Sequence, residues 1–185
     1  MIFGRKYWLG LALCLALQGA GQVRANLVVL HTNDVHCGVE NQLGYAQLAQ
    51  YKKDLMKNPD DTVQLVDAGD AIQGEPLGSL TRGQAVIDIM NVAGYDFAIP
   101  GNHEFDYGVA RLLELAPQLA GGYYSCNLVD LRTRKTVFPP YKMVVYDGGK
   151  KAAFIGVTTP QTLISSTPRY FQDDKGQFIY GFSED

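Results

Sequence analysis

Three short polar segments carry side chains that can bind a divalent metal ion. The first contains Asp34 and His36, which lie two residues apart and can point to the same side of an extended segment. The second contains Asp70 after a glycine, and the third places Asn102 directly before His103 in a glycine-led turn. Any one of these patterns is ordinary loop polarity, but three of them in order indicate one site. Carboxylate, imidazole and amide ligands without a thiolate favour Mn²⁺, Zn²⁺ or a similar ion over Ca²⁺.

Each polar segment directly follows a short apolar run that predicts a β-strand. These strands are expected over residues 27–30, 63–66 and 97–99, the first two of them fully buried. The spacing of apolar residues predicts helices over 45–57 and 84–93. Alternating strands and helices indicate a layered α/β fold that begins with parallel strands, and such sheets bind ligands at the carboxyl ends of their strands. The three polar segments are therefore expected to meet at one edge of the sheet.

The second half of the chain predicts further elements of both types. A third helix is expected over 108–119 and a fourth strand over 123–126. Residues 141–146 and 152–157 flank Asp147-Gly148-Gly149 and predict a β-hairpin. The full length of 185 residues is enough for one domain with a sizeable core.

Composition and charge restrict the class of protein. Hydrophobic residues make up 46% of the chain and charged residues 19%, as in a folded globular protein. The net charge is −3, and setting aside the three basic residues of positions 1–25 leaves 13 basic and 19 acidic residues, or −6. Proteins that bind nucleic-acid polymers usually present a basic face, so no nucleic-acid polymer is expected as a partner.

The first 25 residues have the pattern of a secretory signal peptide. Arg5 and Lys6 form a short positive region, residues 8–17 form an apolar run, and cleavage is expected after Ala25. A membrane anchor is one alternative, but the apolar run is shorter than the ~20 residues that span a bilayer. A lipoprotein signal at Cys14 is another, and the residues before Cys14 match it poorly. The favoured interpretation is a secreted, periplasmic or cell-envelope protein, without a stable membrane span after cleavage.

Two cysteines, Cys37 and Cys126, remain in the expected mature chain. They could pair in an oxidising compartment, but a sequence does not show whether their Cα atoms come within reach. We favour two unpaired, semi-buried thiols. Oxygen-rich metal sites rarely use a thiolate, so Cys37 is not counted among the expected ligands.

The three polar segments extend into longer blocks that resemble those of a known family. Residues 30–36 are Leu-His-Thr-Asn-Asp-Val-His, residues 67–70 are Asp-Ala-Gly-Asp, and residues 101–106 are Gly-Asn-His-Glu-Phe-Asp. Together they are similar to the signature blocks of the calcineurin-like metallophosphoesterases, and most similar to the secreted 5′-nucleotidase and 2′,3′-cyclic-nucleotide phosphodiesterase group. The resemblance covers the chain from about Leu27 to its end. It implies the layered α/β/β/α sandwich of that family, with residues 26–185 as the N-terminal portion of the phosphoesterase domain.

The resemblance also implies a metal-binding role for four residues. Asp34 and His36 would hold one metal ion, and Asn102 would bind a second. Asp70 would bridge the two ions, and a carboxylate suits this position because its charge offsets both cations. The implied cofactors are thus two divalent metal ions, Mn²⁺, Zn²⁺ or similar.

The same resemblance implies a catalytic pair. His103, oriented by Asp106, would face the scissile phosphate instead of binding metal, where it would stabilise charge or protonate the leaving oxygen. The implied reaction is hydrolysis of a phosphoric ester by a hydroxide that two metal ions activate. The implied substrate is a small-molecule nucleotide outside the cytoplasm, and the implied process is nucleotide catabolism.

The chain departs from the family in its histidines, which are His31, His36 and His103. The family completes its metal site with later histidines, ending in a Gly-His-x-His block, and adds a second domain that binds the nucleoside. We therefore expect a truncated N-terminal portion with little catalysis of its own. Two other functions are alternatives: a catalytically incomplete metal-binding remnant, and a relative that hydrolyses nucleotide sugars or other esters. The oligomeric state stays open. His31, at a strand end, is expected to make structural hydrogen bonds rather than bind metal.

Overall fold

A parallel three-stranded sheet is the framework that positions the polar segments. A computed structural model describes residues 26–40 and 43–183, so the expected signal peptide lies outside the described residues. Strands β1 (Leu27–Thr32), β2 (Thr62–Asp67) and β3 (Phe97–Ala98) lie side by side in that order. Both neighbouring pairs are parallel. The predicted parallel start of an α/β fold is confirmed.

The prediction of a fully buried first strand is wrong. Among the described residues β1 lies at one edge of this sheet, and its side chains alternate in exposure, with Val29 45% exposed. Leu30 packs against the core, while His31 is exposed and makes no side-chain hydrogen bond with any described residue. The described residues therefore give no support to the structural role expected for His31, which stays a prediction. Successive side chains of a strand point to opposite faces, and only one face of β1 meets the core.

The helices lie close to the positions predicted from apolar spacing. They are α1 (Gly44–Leu55), α2 (Pro76–Thr81), α3 (Gln84–Ala93), α4 (Val109–Leu115) and α5 (Thr162–Ser165). α3 has the predicted bounds and ends at Gly94, whose φ of 80° is the left-handed conformation that glycine adopts readily. α1 ends two residues earlier than predicted, and the short helices α2 and α5 were not predicted.

The third predicted helix, over 108–119, is interrupted. α4 ends at Leu115, and the chain continues as a single 3₁₀ turn, Ala116–Gln118. Pro117 lies within this turn. Proline has no N–H to donate along an α-helix, and its ring clashes with the carbonyl four residues earlier, so the α-helix stops before it.

The fourth strand lies further along the chain than predicted. Within residues 123–126, Tyr123 makes one isolated parallel bridge, to Ala98. The Ser125 N–H then donates to one neighbouring segment and the Cys126 N–H to another. No strand forms here because successive residues do not share one partner strand.

The remaining strands form two small antiparallel sheets. They are β4 (Leu128–Asp130), β5 (Lys135–Thr136), β6 (Tyr141–Tyr146), β7 (Lys150–Ile155) and β8 (Tyr180–Phe182). One sheet has the order β5-β4-β8, and the other is the hairpin of β6 and β7. The predicted hairpin is confirmed, although its second strand begins two residues earlier than expected.

A single apolar core lies beneath these elements, with Ile87, Phe105 and Leu112 fully excluded from solvent.

The thiols of Cys37 and Cys126 are both free: Cys37 is buried and Cys126 is partly buried. The favoured interpretation of two unpaired cysteines is therefore confirmed. Over residues 26–40 and 43–183, no helix is both long and apolar enough to cross a membrane.

Candidate metal centre

The loops that follow β1 and β2 continue the pairing of the two strands. The Asp34 N–H donates to the Gly69 carbonyl at 3.0 Å, and the His36 N–H donates to the Asp70 carbonyl at 2.9 Å. These bonds carry the two loops side by side beyond the end of the sheet. The first two polar segments therefore meet, as predicted for the carboxyl ends of neighbouring parallel strands.

Three of the predicted ligands have a left-handed backbone. The φ angle is 52° at Asp34, 48° at His36 and 61° at Asp70. Few residues other than glycine adopt this region, and those that do cluster at functional sites, where the surrounding structure holds them. The left-handed backbone thus occurs at three of the four residues whose side chains are predicted to bind metal.

The third polar segment approaches the second so closely that only glycine fits between them. A Cβ added at Gly101 would lie 2.3 Å from Asp70 Oδ1, and a Cβ added at Gly69 would lie 2.7 Å from Gly101 N. Next to this contact, the His103 N–H donates to Asp70 Oδ1 at 2.8 Å. All three predicted segments therefore lie at one place.

His36, Asp70 and His103 form a compact group of metal-ligand types. One ligand atom from each residue lies within 4.8 Å of those from the other two. The imidazole rings of His36 and His103 pack edge to face, with their centroids 5.0 Å apart. Two imidazoles and a carboxylate at this spacing can bind a borderline divalent cation.

The other two predicted ligands lie beside this group. Asp34 is exposed, and its Oδ1 is 4.0 Å from His36 Nε2. Its Oδ2 accepts a hydrogen bond of 2.5 Å from the Asn33 side-chain amide. Asn102 is partly buried and immediately precedes the 3₁₀ turn His103–Phe105. The structure brings both to the same rim, and their ligand roles stay predictions.

The backbone fixes which nitrogen of His36 can bind a metal ion. His36 Nδ1 lies 3.1 Å from the Gln73 carbonyl oxygen, which can only accept. Nδ1 therefore carries the hydrogen, and Nε2 keeps its lone pair. A carbonyl in this position is the usual outer partner of a metal-binding histidine.

His103 is held by a carboxylate three residues further along the chain. Its Nδ1 lies 2.7 Å from Asp106 Oδ2, and the other oxygen of Asp106 accepts a bond of 3.3 Å from Ser166 Oγ. Partial burial lowers the pKa of His103, but the hydrogen bond and charge of Asp106, with the charges of Asp70 and Glu104, raise it above the ordinary value of 6.5. Ser166 was not predicted, because nothing near it in the sequence marks it as a partner of Asp106.

Titration of the metal-free chain should show this effect directly. We expect NMR to give His103 a pKa above 6.5, and Asp106→Asn to lower it because the hydrogen-bonded charge is lost while partial burial remains. Folding then favours the protonated ring, so the contribution of His103 to stability is complete below about pH 6.5 and is lost as the pH rises through the folded pKa. Asp88→Asn, an exposed change on α3, is the control. Equal His103 pKa values in the wild type and in Asp106→Asn would contradict this account.

Two further carboxylates, Asp67 and Glu104, are buried beneath the site. Asp67 accepts hydrogen bonds from Thr32 Oγ1 at 2.9 Å and from the Gly69 N–H at 3.1 Å. Burial and the charge of Glu104 raise the pKa of Asp67 well above its ordinary range. Burial also raises the pKa of Glu104, against backbone N–H groups that lower it. Both lie within the sequence blocks that resemble the family, but an acidic residue at a strand end or in a turn gives no sign that it will be buried.

The residues at this rim fit a divalent metal ion, and the neighbouring thiol does not compete. Cys37 Sγ lies 3.5 Å from the Ala71 carbonyl oxygen. Burial, followed by the charge of Glu104, raises the pKa of the Cys37 thiol to about 11, so it stays neutral at physiological pH. The donors of the compact group are oxygen and nitrogen atoms of one carboxylate and two imidazoles, and the amide of Asn102 stays a predicted ligand.

Comparisons with known proteins identify the family of this chain and several relatives. The family described as calcineurin-like phosphoesterase matches residues 27–178. A snake venom 5′-nucleotidase from Gloydius brevicauda is 35% identical over 162 residues, covering 77% of this chain and 27% of that protein. A 2′,3′-cyclic-nucleotide 2′-phosphodiesterase/3′-nucleotidase from Salmonella typhimurium is 29% identical over 164 residues, covering 75% of this chain and 25% of that protein.

Solved structures show the same fold. The structure of a 5′-nucleotidase precursor from Thermus thermophilus matches with a TM-score of 0.71 and 28% identity, covering 85% of this chain and 32% of that one. The chain thus spans less than a third of the length of each of these three relatives. The family match includes all three polar segments and the catalytic pair implied by the resemblance. On these grounds the chain belongs to the calcineurin-like phosphoesterases, a family of hydrolases.

Proposed function

We propose that this chain is the N-terminal portion, from residue 26, of a metal-dependent phosphoric ester hydrolase that acts on nucleotides. The reaction would be that of a 5′-nucleotidase or a 2′,3′-cyclic-nucleotide phosphodiesterase, in nucleotide catabolism. The observation that carries the proposal is the convergence of His36, Asp70 and His103 at the edge of the parallel sheet. Relatives named for both activities support a small-molecule nucleotide as the substrate.

The proposed cofactors are two divalent metal ions, Mn²⁺, Zn²⁺ or similar. Asp34 and His36 would hold one of them, and Asn102 would contribute to the second. Asp70 would contribute to both, and its bond from the His103 N–H holds its carboxylate in one orientation. When bound, such ions lower the pKa of water and neutralise the phosphoryl oxygens.

The proposed role of His103 is to act on the substrate rather than on metal. Asp106 binds the Nδ1–H of His103, so Nε2 is left for the phosphate. Although partial burial lowers the pKa of His103, the hydrogen bond and charge of Asp106 and the charges of Asp70 and Glu104 raise it, so the ring is protonated more readily than that of an ordinary histidine. A protonated ring can stabilise negative charge on the phosphoryl oxygens or give its proton to the leaving oxygen.

A catalytically incomplete metal-binding remnant is the second proposal. Among the described residues, the compact ligand group contains two imidazoles, and one of these is the proposed catalytic His103. Too few ligands would then remain to keep a second metal ion bound. A relative that hydrolyses nucleotide sugars or other esters is the third proposal, and the assay of different esters chooses among them.

Release of hydrolysis products tests these proposals: phosphate from a nucleoside monophosphate, and phosphomonoesters from a cyclic nucleotide or a nucleotide sugar. The chain of 185 residues, and the product of its coding region read beyond Asp185, are each given nucleoside 5′-monophosphates, 2′,3′-cyclic nucleotides and nucleotide sugars with Mn²⁺ or Zn²⁺. We expect release by the longer product that EDTA abolishes, and little release by the shorter chain. Release that resists EDTA would contradict a metal-dependent reaction. Rapid, metal-dependent turnover by the shorter chain would show that its own residues complete the site.

The proposed location is outside the cytoplasm, after removal of residues 1–25. The intact mass of exported protein should correspond to a chain that begins at Asn26. A retained Met1, or a mass that includes lipid on Cys14, would contradict cleavage after Ala25.

A further inference from the structure

The side chain of Glu104 lies at the centre of four backbone hydrogen bonds. Its Oε2 accepts from the N–H groups of Asp70 at 2.7 Å and Gly101 at 2.6 Å. Its Oε1 accepts from the N–H groups of Ala71 at 2.7 Å and Ile72 at 3.2 Å. The side chain is fully buried. A carboxylate has about four acceptor positions, so these donors use its whole capacity.

Three of the four donors are successive residues, Asp70, Ala71 and Ile72. Successive N–H groups around a left-handed residue form a concave anion-binding nest, and Asp70 has a φ of 61°. Here the anion that occupies the nest is the carboxylate of Glu104. Its bonds therefore stabilise the left-handed conformation of the residue whose side chain is the proposed metal bridge.

The fourth donor, Gly101, belongs to the other loop. Glu104 Oε2 binds the N–H groups of Gly101 and Asp70 together, so it joins the loop after β3 to the loop after β2. The bond from the His103 N–H to Asp70 Oδ1 crosses the same boundary. Glu104 thus links the loop that contains Asp70 to the loop that contains the Asn102–His103 pair.

We propose that Glu104 is a positioning residue that sets the geometry of the metal centre without touching metal or substrate. This proposal rests on the proposed metal-binding function of the rim. Glutamine in its place would keep one carbonyl oxygen and turn an NH₂ group toward two of the N–H donors, leaving them unpaired in a buried site. Aspartate would keep both oxygens but is one methylene shorter, so it would lose part of the contact.

The experiment compares Glu104→Gln and Glu104→Asp with two controls. Glu114→Gln makes the same chemical change on the exposed side chain that pairs with Arg111. Ile87→Ala truncates a buried side chain of α3 and reports what general destabilisation does. Two quantities are measured on each 185-residue protein: the affinity for Mn²⁺, and the hydrogen exchange of the amides of Ala71 and Gly101.

We expect Glu104→Gln to weaken Mn²⁺ binding by about 10–100-fold, the range found for outer partners of metal ligands, and Glu104→Asp to recover part of it. Amide exchange should be faster in Glu104→Gln, by at least about tenfold at whichever of Ala71 and Gly101 faces the NH₂ group and loses its bond, because the other still bonds to the remaining, neutral oxygen. Both controls should keep the wild-type affinity for Mn²⁺. Ile87→Ala and Glu104→Gln are compared at temperatures at which the two variants have the same free energy of unfolding.

Each contrary outcome has a distinct meaning. If Glu104→Gln keeps wild-type Mn²⁺ affinity and amide exchange, Glu104 does not position the site and the proposal fails. If Ile87→Ala weakens Mn²⁺ binding as much as Glu104→Gln, the effect is general destabilisation and the proposal also fails. If the wild type binds no Mn²⁺, the proposed metal site fails, while faster exchange confined to Ala71 and Gly101 would still show that Glu104 joins the two loops. If Glu104→Gln does not fold, the same criteria apply to Glu104→Asp.

Discussion

Asp70→Asn is expected to weaken the binding of divalent metal ions by more than about 100-fold and to abolish activity in any form of the protein that turns over substrate. Loss of an outer partner of a metal ligand typically costs about 10–100-fold, and Asp70 is proposed to contact both ions directly. The change removes one negative charge from the position where two cations would meet. Equilibrium binding of Mn²⁺ and elemental analysis after dialysis measure the effect.

We expect Asp70→Asn to fold normally, so a loss of metal binding can be assigned to the lost carboxylate. Asparagine tolerates the left-handed region in which Asp70 lies, with φ at 61°. Its amide oxygen can still accept the bond that the His103 N–H now donates to Asp70 Oδ1. Asp88→Asn makes the same change on the exposed side of α3 and should alter neither affinity nor stability. Retention of two metal ions by Asp70→Asn would refute the bridging role.

His103→Asn is expected to lower kcat by about 10²–10⁴-fold, measured in a form of the protein with phosphatase activity. Metal content and folding should be unchanged, because His103 is proposed to act on the phosphate and not on the metal ions. Its ring is close enough to His36 and Asp70 to be a ligand, so metal content is the measurement that decides between the two roles. An emptied metal site with no separate loss of turnover would make His103 a ligand.

Asp106→Asn should lower kcat by less than His103→Asn does. The imidazole remains in place, but it loses the charge that orients it and raises its pKa. The substituted asparagine would still accept a bond from Nδ1–H through its amide oxygen, so the orientation is weakened and not lost. A loss as large as that of His103→Asn would mean that the two residues act as one unit.

Much of the site is determined by local sequence. Each of Asp34, Asp70 and Asn102 follows a short apolar run, and the runs pair as parallel strands whose carboxyl ends meet. The order of strand, polar loop and helix was therefore enough to place these residues at one rim. The bounds of α3 were predictable for a similar reason, since its buried face and terminal Gly94 are both local signals.

Other features depend on partners that are distant along the chain. Ser166 reaches Asp106 across 60 residues, and Glu104 reaches the Asp70 loop across 34. The partial exposure of β1 depends on which strands lie beside it in the sheet. The position of the fourth strand depends in the same way on which segments lie beside residues 123–126. Local sequence signals are enough to predict which side chains stand at the edge of the sheet, because the periodicity of apolar residues and the order of strands are read directly along the chain. That a buried glutamate joins the two loops beneath them is a property of the tertiary structure, because the N–H groups that hold Glu104 come from both loops and converge only in the folded chain.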